Sequence, residues 1–199
     1  MIKFNYVKML NTFFIITVNN TFNLMSILKF YILALFYIQL GGFNMKTEIS
    51  IKKIKSDAEE LFRKGDFFCS EAIVYSIKNN FELDMPDEMV AMASGFPVGI
   101  GRSKCVCGAV SGGILCLGYF FGRTKGGDKK VENTLKLANE LQESFRQNHG
   151  CLCCKVHTQG MDMGSGEHKA QCISFTGEVA EKAASIIVRE LNLKNIDEE

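Results

Sequence analysis

Apolar residues recur along most of this chain at three- and four-residue intervals, the spacing that gathers them on one face of a helix. Over 47–64 the stripe is Ile51, Ile54, Ala58, Leu61 and Phe62, and Gly65 ends it. A second helix is expected from about 66–70 to Asn80, with Ala72, Ile73, Ile77 and Phe81 turned inward. A third opens at Pro86, a residue suited to a first turn because it lacks an N–H there, and closes near Ser94-Gly95. The run from about Lys104 to Gly122 is apolar nearly all round and reads as a buried central helix. A fifth helix follows Asp128 as N-cap, with Val131, Leu135, Ala138, Leu141 and Phe145 as its stripe and Gly150 as its end. A last helix runs from about Thr176 to Leu193, with Val179, Ala183, Ile186, Ile187 and Leu191 inward. No segment alternates as a strand does, and no repeat is seen. The expected fold class is all-α: a single bundle of about six helices, with a Cys/His-rich irregular segment over 150–172 before the last one.

Residues 1–44 follow a different pattern, rich in Phe, Ile, Leu, Tyr and Asn. Residues 22–40 approach the length of a membrane span, but Lys29 near their middle opposes insertion. A signal peptide fits less well, since Gln39-Leu40-Gly41-Gly42 is no small-x-small cleavage site. The favoured reading is a translation artefact. Codons for Gly41-Gly42 can spell a bacterial ribosome-binding sequence just ahead of Met45, and AT-rich DNA translates into such residues. The expected organisation is therefore a leader, 1–44, and a cysteine-rich helical domain, 45–199. The expected location is a bacterial cytoplasm, with a membrane anchor through 22–40 as the alternative.

Charge narrows the partners. The net charge is +1, and Lys3, Lys8 and Lys29, with no acid beside them, place +3 in the leader. The remainder carries −2, which gives no basis for nucleic-acid binding. A redox partner of unknown identity is expected, membrane contact only if 22–40 is translated, and a homo-oligomer is compatible.

All eight cysteines lie after the leader: Cys69, Cys105, Cys107, Cys116, Cys151, Cys153, Cys154 and Cys172. In a reducing compartment such cysteines serve metal or catalytic chemistry more often than stable disulfides. Cys69, Cys105 and Cys107 fall near expected helix N-termini, and Cys172 just before one. Helix N-termini favour thiolate, which is both the nucleophile and the metal-binding form. Cys116, mid-helix between Leu115 and Leu117, reads as a small buried hydrophobe. Three glycines in the run Gly108-Ala109-Val110-Ser111-Gly112-Gly113 weaken a helix and need a reason. Gly108 and Gly112 share a face one turn apart, so a neighbouring helix, or a cofactor or partner thiol beside Cys107, can come close.

The run Cys107-Gly108-Ala109-Val110-Ser111-Gly112 resembles the core of the C_GCAxxG_C_C family, whose members are labelled redox-active on the strength of their cysteines. The upstream cysteine of that pattern matches Cys69 in Phe67-Phe68-Cys69-Ser70-Glu71-Ala72. The glycine-rich run from Ala93 to Arg102 is similar as well. The third cysteine is assigned to Cys154, with Cys151 and Cys153 close enough to blur the match, and the fourth to Cys172. The resemblance implies a redox role for Cys69, Cys107, Cys154 and Cys172.

Two chemistries suit such a set. Four thiolates can hold zinc or an iron–sulfur cluster. The segment from His149 onward adds Cys151, Cys153, His157 and His168 as candidate ligands, with Cys154/His157 and His168/Cys172 spaced to share a metal. Alternatively, Cys69 with Cys107 and Cys154 with Cys172, or a crossed version, exchange thiol and disulfide without metal. Metal binding with electron transfer is taken first, and no thioredoxin-like Cys-x-x-Cys pair is expected, which counts against a general dithiol oxidoreductase. No Cys-x-x-Cys-His is present, so covalent haem is not indicated. Gly95 to Gly101 follows no strand and is not a dinucleotide fingerprint. The rival class is a non-enzymatic helical interaction module, or a membrane-tethered transporter accessory.

Overall fold

The computed structural model describes residues 45–198. The readings of residues 1–44, including the span 22–40, lie outside them. After a two-residue strand β1 (Glu48–Ile49) come α1 (Ile51–Lys64), α2 (Cys69–Asn80), α3 (Asp87–Ala93) and α4 (Gly108–Phe121). Then follow α5 (Lys130–His149), the single turn α6 (Cys154–His157), the long α7 (Gly166–Glu190), a second two-residue strand β2 (Lys194–Asn195) and a final 3-10 turn, Ile196–Glu198. The bundle is helical, as the periodicity predicts. Among the described residues no helix is long and apolar enough to cross a membrane.

Helix α4 is the centre. Its first six residues are buried, as are Cys116, Leu117 and Phe121. Helices α2, α5 and α7 pack against it, and α1 lies along α7 and α2. Small residues make the close approaches possible. A Cβ on Gly112 would lie 2.8 Å from the Cα of Ser70, so the start of α2 sits directly on this glycine. On the next residue, Gly113, a Cβ would meet Val179 of α7 at 2.7 Å and Leu141 of α5 at 2.9 Å. Buried hydroxyls are satisfied within the core: Ser70 donates to the Ala93 carbonyl and Ser76 to the Ile54 carbonyl, each at 2.8 Å.

Several boundaries differ from the sequence reading. The last helix starts at Gly166, ten residues earlier than expected, because Ser165 caps it by accepting from the His168 amide at 3.2 Å. Thr176, read as its start, instead turns its hydroxyl back to the Cys172 carbonyl at 2.7 Å. The central helix begins at Gly108, and 104–107 lies outside it, with Val106 in an isolated bridge. On α5 the expected Leu135 is 59% exposed while Leu137 is buried. Asp128 does serve the start of α5, accepting from the Lys130 amide at 2.9 Å. The two short strands pair in parallel, Glu48 with Lys194 and Ile49 with Asn195, where no strand was expected.

Candidate functional site

Four elements deliver four thiols to one place. Cys69 is the first residue of α2, Cys107 the N-cap of α4, Cys154 the first residue of α6, and Cys172 lies in the second turn of α7. All four line a cavity of about 80 Å³. Its other walls are largely apolar, from Phe62, Phe68, Val98, Ala109 and Phe175, with His168 as the one imidazole. The His168 Nε2 stands 3.5 Å from the Cys172 sulfur, one turn along α7. A larger surface hollow of about 230 Å³ between α1 and α2 contains neither sulfur nor imidazole.

A short antiparallel ladder brings the third cysteine in. Val106 pairs with Cys153, the Cys107 amide donates to the Leu152 carbonyl, and the Cys154 amide donates to the Cys105 carbonyl, both at 2.8 Å. This register puts Cys154 into the cavity and leaves Cys151 and Cys153 outside it. The ambiguity that the sequence carries between the three is thereby a difference in position.

The glycine-rich loop forms the lip. Val98, Gly99, Ile100, Gly101 and Arg102 all have positive φ, between 48° and 67°. That conformation is costly for branched residues, on the order of 1–2 kcal/mol each. It is over-determined by backbone bonds from Ile100 to Phe96, Lys104 to Val98 and Cys105 to Gly99. Gly99 is obligatory in it, since a Cβ would stand 2.6 Å from the Cys105 amide nitrogen. The turn presents the Val98 amide to the Cys69 sulfur. Gly108 completes the cradle, because a Cβ there would come within 2.6 Å of that sulfur.

The electrostatics correct one expectation. Helix N-termini do offer amides to these sulfurs, from Ala109 and Val110 to Cys107 and from Ser70 to Cys69. Burial outweighs them. Desolvation pushes the Cys69 thiol up to about 12, with Cys107 and Cys172 nearby adding to the shift. The Cys107 thiol is pushed up to about 11 chiefly by burial, then by Cys154 and Cys151 after its amides are counted. Cys172 goes to about 12 through burial, then Cys107 and Cys154. Cys154 is raised by burial, against the pull of Lys104. Burial thus favours the neutral form of all four thiols, and Cys69, Cys107 and Cys172 each feel at least one other cavity cysteine.

The remaining sequence candidates fall elsewhere. Cys116 is fully buried in α4 and makes only packing contacts, its thiol pushed up to about 12 by burial. Cys105 is exposed, although it sits near the ladder. The Cys153 sulfur points to the Lys104 carbonyl at 3.6 Å. Cys151 and His157 pair with one another, sulfur to Nε2 at 3.5 Å, and not with Cys154. His149 is bound to Glu178 at 2.7 Å and stacks beside Phe145 and Phe175. Gly108 lines the cavity, whereas Gly112 lies under Ser70. Among the described residues no group of three or more Cys, His, Asp or Glu side chains stands ready to hold a metal ion. The run Cys151-Leu152-Cys153-Cys154 contains a Cys-x-x-Cys spacing, Cys151 with Cys154, which corrects the expectation that no such pair is present and with it the argument drawn from that against a dithiol.

No curated protein and no solved structure matches the chain. A family model does, over residues 67–186, under the description "Putative redox-active protein (C_GCAxxG_C_C)". The matched stretch contains all four cavity cysteines and covers more than half of the chain, and the protein belongs to this family of redox-active proteins.

Proposed function

We propose that the four-cysteine cavity is the redox centre and that Cys69, Cys107, Cys154 and Cys172 ligate an iron–sulfur cluster there, making the protein an electron carrier. The observation that carries this is the convergence of four thiols from four separate elements on one apolar cavity; they line it without standing as a ready ligand group, so binding would have to draw the sulfurs together. The donor set is all sulfur, the ligand set of such clusters and of soft or borderline ions. Bound there, a cluster would supply one-electron uptake and release. The chain does the rest. Phe62, Phe68, Val98 and Phe175 give the sulfurs apolar walls, and Gly108 leaves room beside Cys69. Backbone amides of Val98, Ser70, Ala109 and Val110 face Cys69 and Cys107 and stabilise negative charge on them. Buried thiols that repel one another's charge are poor nucleophiles alone, whereas a cationic centre among them relieves both the desolvation and the repulsion.

A second reading, thiol–disulfide exchange without metal, is favoured by the ladder that fixes the Cys107 backbone against the segment bearing Cys154. Iron, sulfide and zinc analysis with a visible spectrum, on protein purified without oxygen, decides between them. Stoichiometric iron and sulfide with visible absorption, lost on Cys69→Ser or Cys107→Ser, is the expected result. Zinc alone overturns electron carriage. A metal-free protein after anaerobic reconstitution, whose thiols oxidise in pairs, leaves dithiol exchange.

A further inference from the structure

Cys151 stands outside the cavity, partly open to solvent, with its sulfur 3.5 Å from His157 Nε2. The same Nε2 is 3.0 Å from the Cys151 carbonyl oxygen. A carbonyl only accepts, so this contact assigns a proton to Nε2. That single N–H goes first to the carbonyl, and the sulfur at 3.5 Å shares it as the second, longer acceptor, which favours negative charge as it develops there. The imidazole is held in place. Its ring stands edge-on to Phe145 at 5.7 Å and to Phe175 at 5.1 Å, and its backbone carbonyl accepts from Gln171 at 2.9 Å. Cys151 and Cys153 each also face a backbone carbonyl, of Cys153 at 3.9 Å and of Lys104 at 3.6 Å, and Cys105 is exposed without a side-chain partner; of these three outer thiols Cys151 is the one beside an imidazole.

We propose that Cys151 and His157 form a thiol-exchange site for disulfide substrates, outside the four-cysteine cavity. The Cys151 thiol gives its proton to solvent and the sulfur attacks one sulfur of R–S–S–R. A bond forms between Cys151 and that sulfur as the substrate's own S–S bond breaks. The electron pair of the broken bond leaves with the second sulfur, which takes a proton from solvent as RSH. His157 remains protonated at Nε2 throughout and acts as donor.

The probe is an aromatic disulfide, 5,5′-dithiobis(2-nitrobenzoate), added to the reduced full chain, with released thionitrobenzoate followed in time and the modified peptide identified by mass. One fast thiol per chain is expected at Cys151, abolished by Cys151→Ser and retained in Cys105→Ser. His157→Phe keeps the ring packing and removes the donor, and should slow the fast phase about tenfold, the worth of one charge-assisted hydrogen bond. His157→Gln, which keeps an N–H, should slow it less. Circular dichroism checks that each variant folds, and His157→Ala serves if His157→Phe does not. A fast phase that maps to Cys105 or Cys153 overturns the proposal. So does an unchanged rate in a folded variant without the donor. Metal content and colour are read on the same samples, so a failure here is distinct from failure of the cluster reading.

Discussion

At Gly108 a single missing methyl decides whether the site exists. A Cβ there would meet the Cys69 sulfur at 2.6 Å and the Phe96 carbonyl at 2.9 Å, and the second contact is backbone and cannot step aside. Gly118, on the same helix, has nothing within 4 Å of its notional Cβ and is exposed. The two therefore answer the same substitution oppositely. Gly108→Ala should destabilise the protein by about 1–3 kcal/mol through overpacking. Gly118→Ala should stabilise it by up to about 1 kcal/mol through helix propensity. Urea unfolding of both variants checks the pair, and a gain in stability at Gly108 would refute the close-packing argument. The sequence exposes this glycine cluster as anomalous because glycine is a poor helix former, but it cannot say what approaches. The answer is α2, with Cys69 and Ser70 at its tip. The thiols show the same limit. Their order along the chain was readable, while their protonation depends on burial, a property of the assembled walls that local helix position does not reveal.

At the scale of the helix, what was legible was the repeating core face, and what was not was where the repeat begins. Over Gly166–Phe175 the polar residues Glu167, His168, Lys169 and Gln171 mask any apolar stripe. The cap at Ser165 nonetheless starts the helix there and carries Cys172 and His168 onto one face of it. The ladder of 104–107 reads as helix from sequence because Cys105, Val106 and Cys107 continue into the apolar run of α4. Its pairing with 152–155 is a contact across nearly fifty residues that no local pattern records. Helices α5 and α7 are tied in addition by an ion-pair group outside the core. Glu140 receives Lys182 at 2.9 Å and Arg189 at 2.8 and 2.9 Å, and these bonds, Arg189 first, hold its carboxyl down to about 2. A depressed folded-state value means that the stabilisation is present above the unfolded carboxylate range and is lost as pH falls towards 2. The group is partly exposed, so solvent screening limits its worth to about 1 kcal/mol or less. Glu140→Gln should thus be less stable than the parent at pH 7. The gap should narrow below about pH 4, near the unfolded carboxylate value, and close near pH 2. Urea midpoints at pH 7, 4 and 2.5 measure it, and a gap independent of pH would show that the carboxylate charge is not involved.

Across the described domain, the two ends of the fold are fastened to each other, and this closure was invisible in the sequence because strands of two residues carry no periodicity. Ser50 caps α1 by accepting from the Lys53 amide at 3.0 Å, and its hydroxyl donates to Asp197 at 2.6 Å. The other Asp197 oxygen accepts from the Lys52 amide at 2.7 Å. The Asp197 carboxyl is held below its usual range, first by Ser50 and then by the amides at the start of α1. A carboxylate at this position satisfies helix N–H groups and complements the dipole from a residue that follows α7 in the chain. Strand β2 sets the register: the Lys194 amide donates to Thr47 at 3.0 Å, which places Asp197 over the helix end. The cap of α1 is therefore a property of the closed chain rather than of α1. Asp197→Ala and Ser50→Ala should each cost about 1 kcal/mol, the usual worth of an N-cap. Because they share one hydrogen bond, the double variant should cost less than the sum. A thermal-melt double-mutant cycle tests this. Strict additivity would mean that the two side chains serve α1 separately and that the bond between them adds nothing.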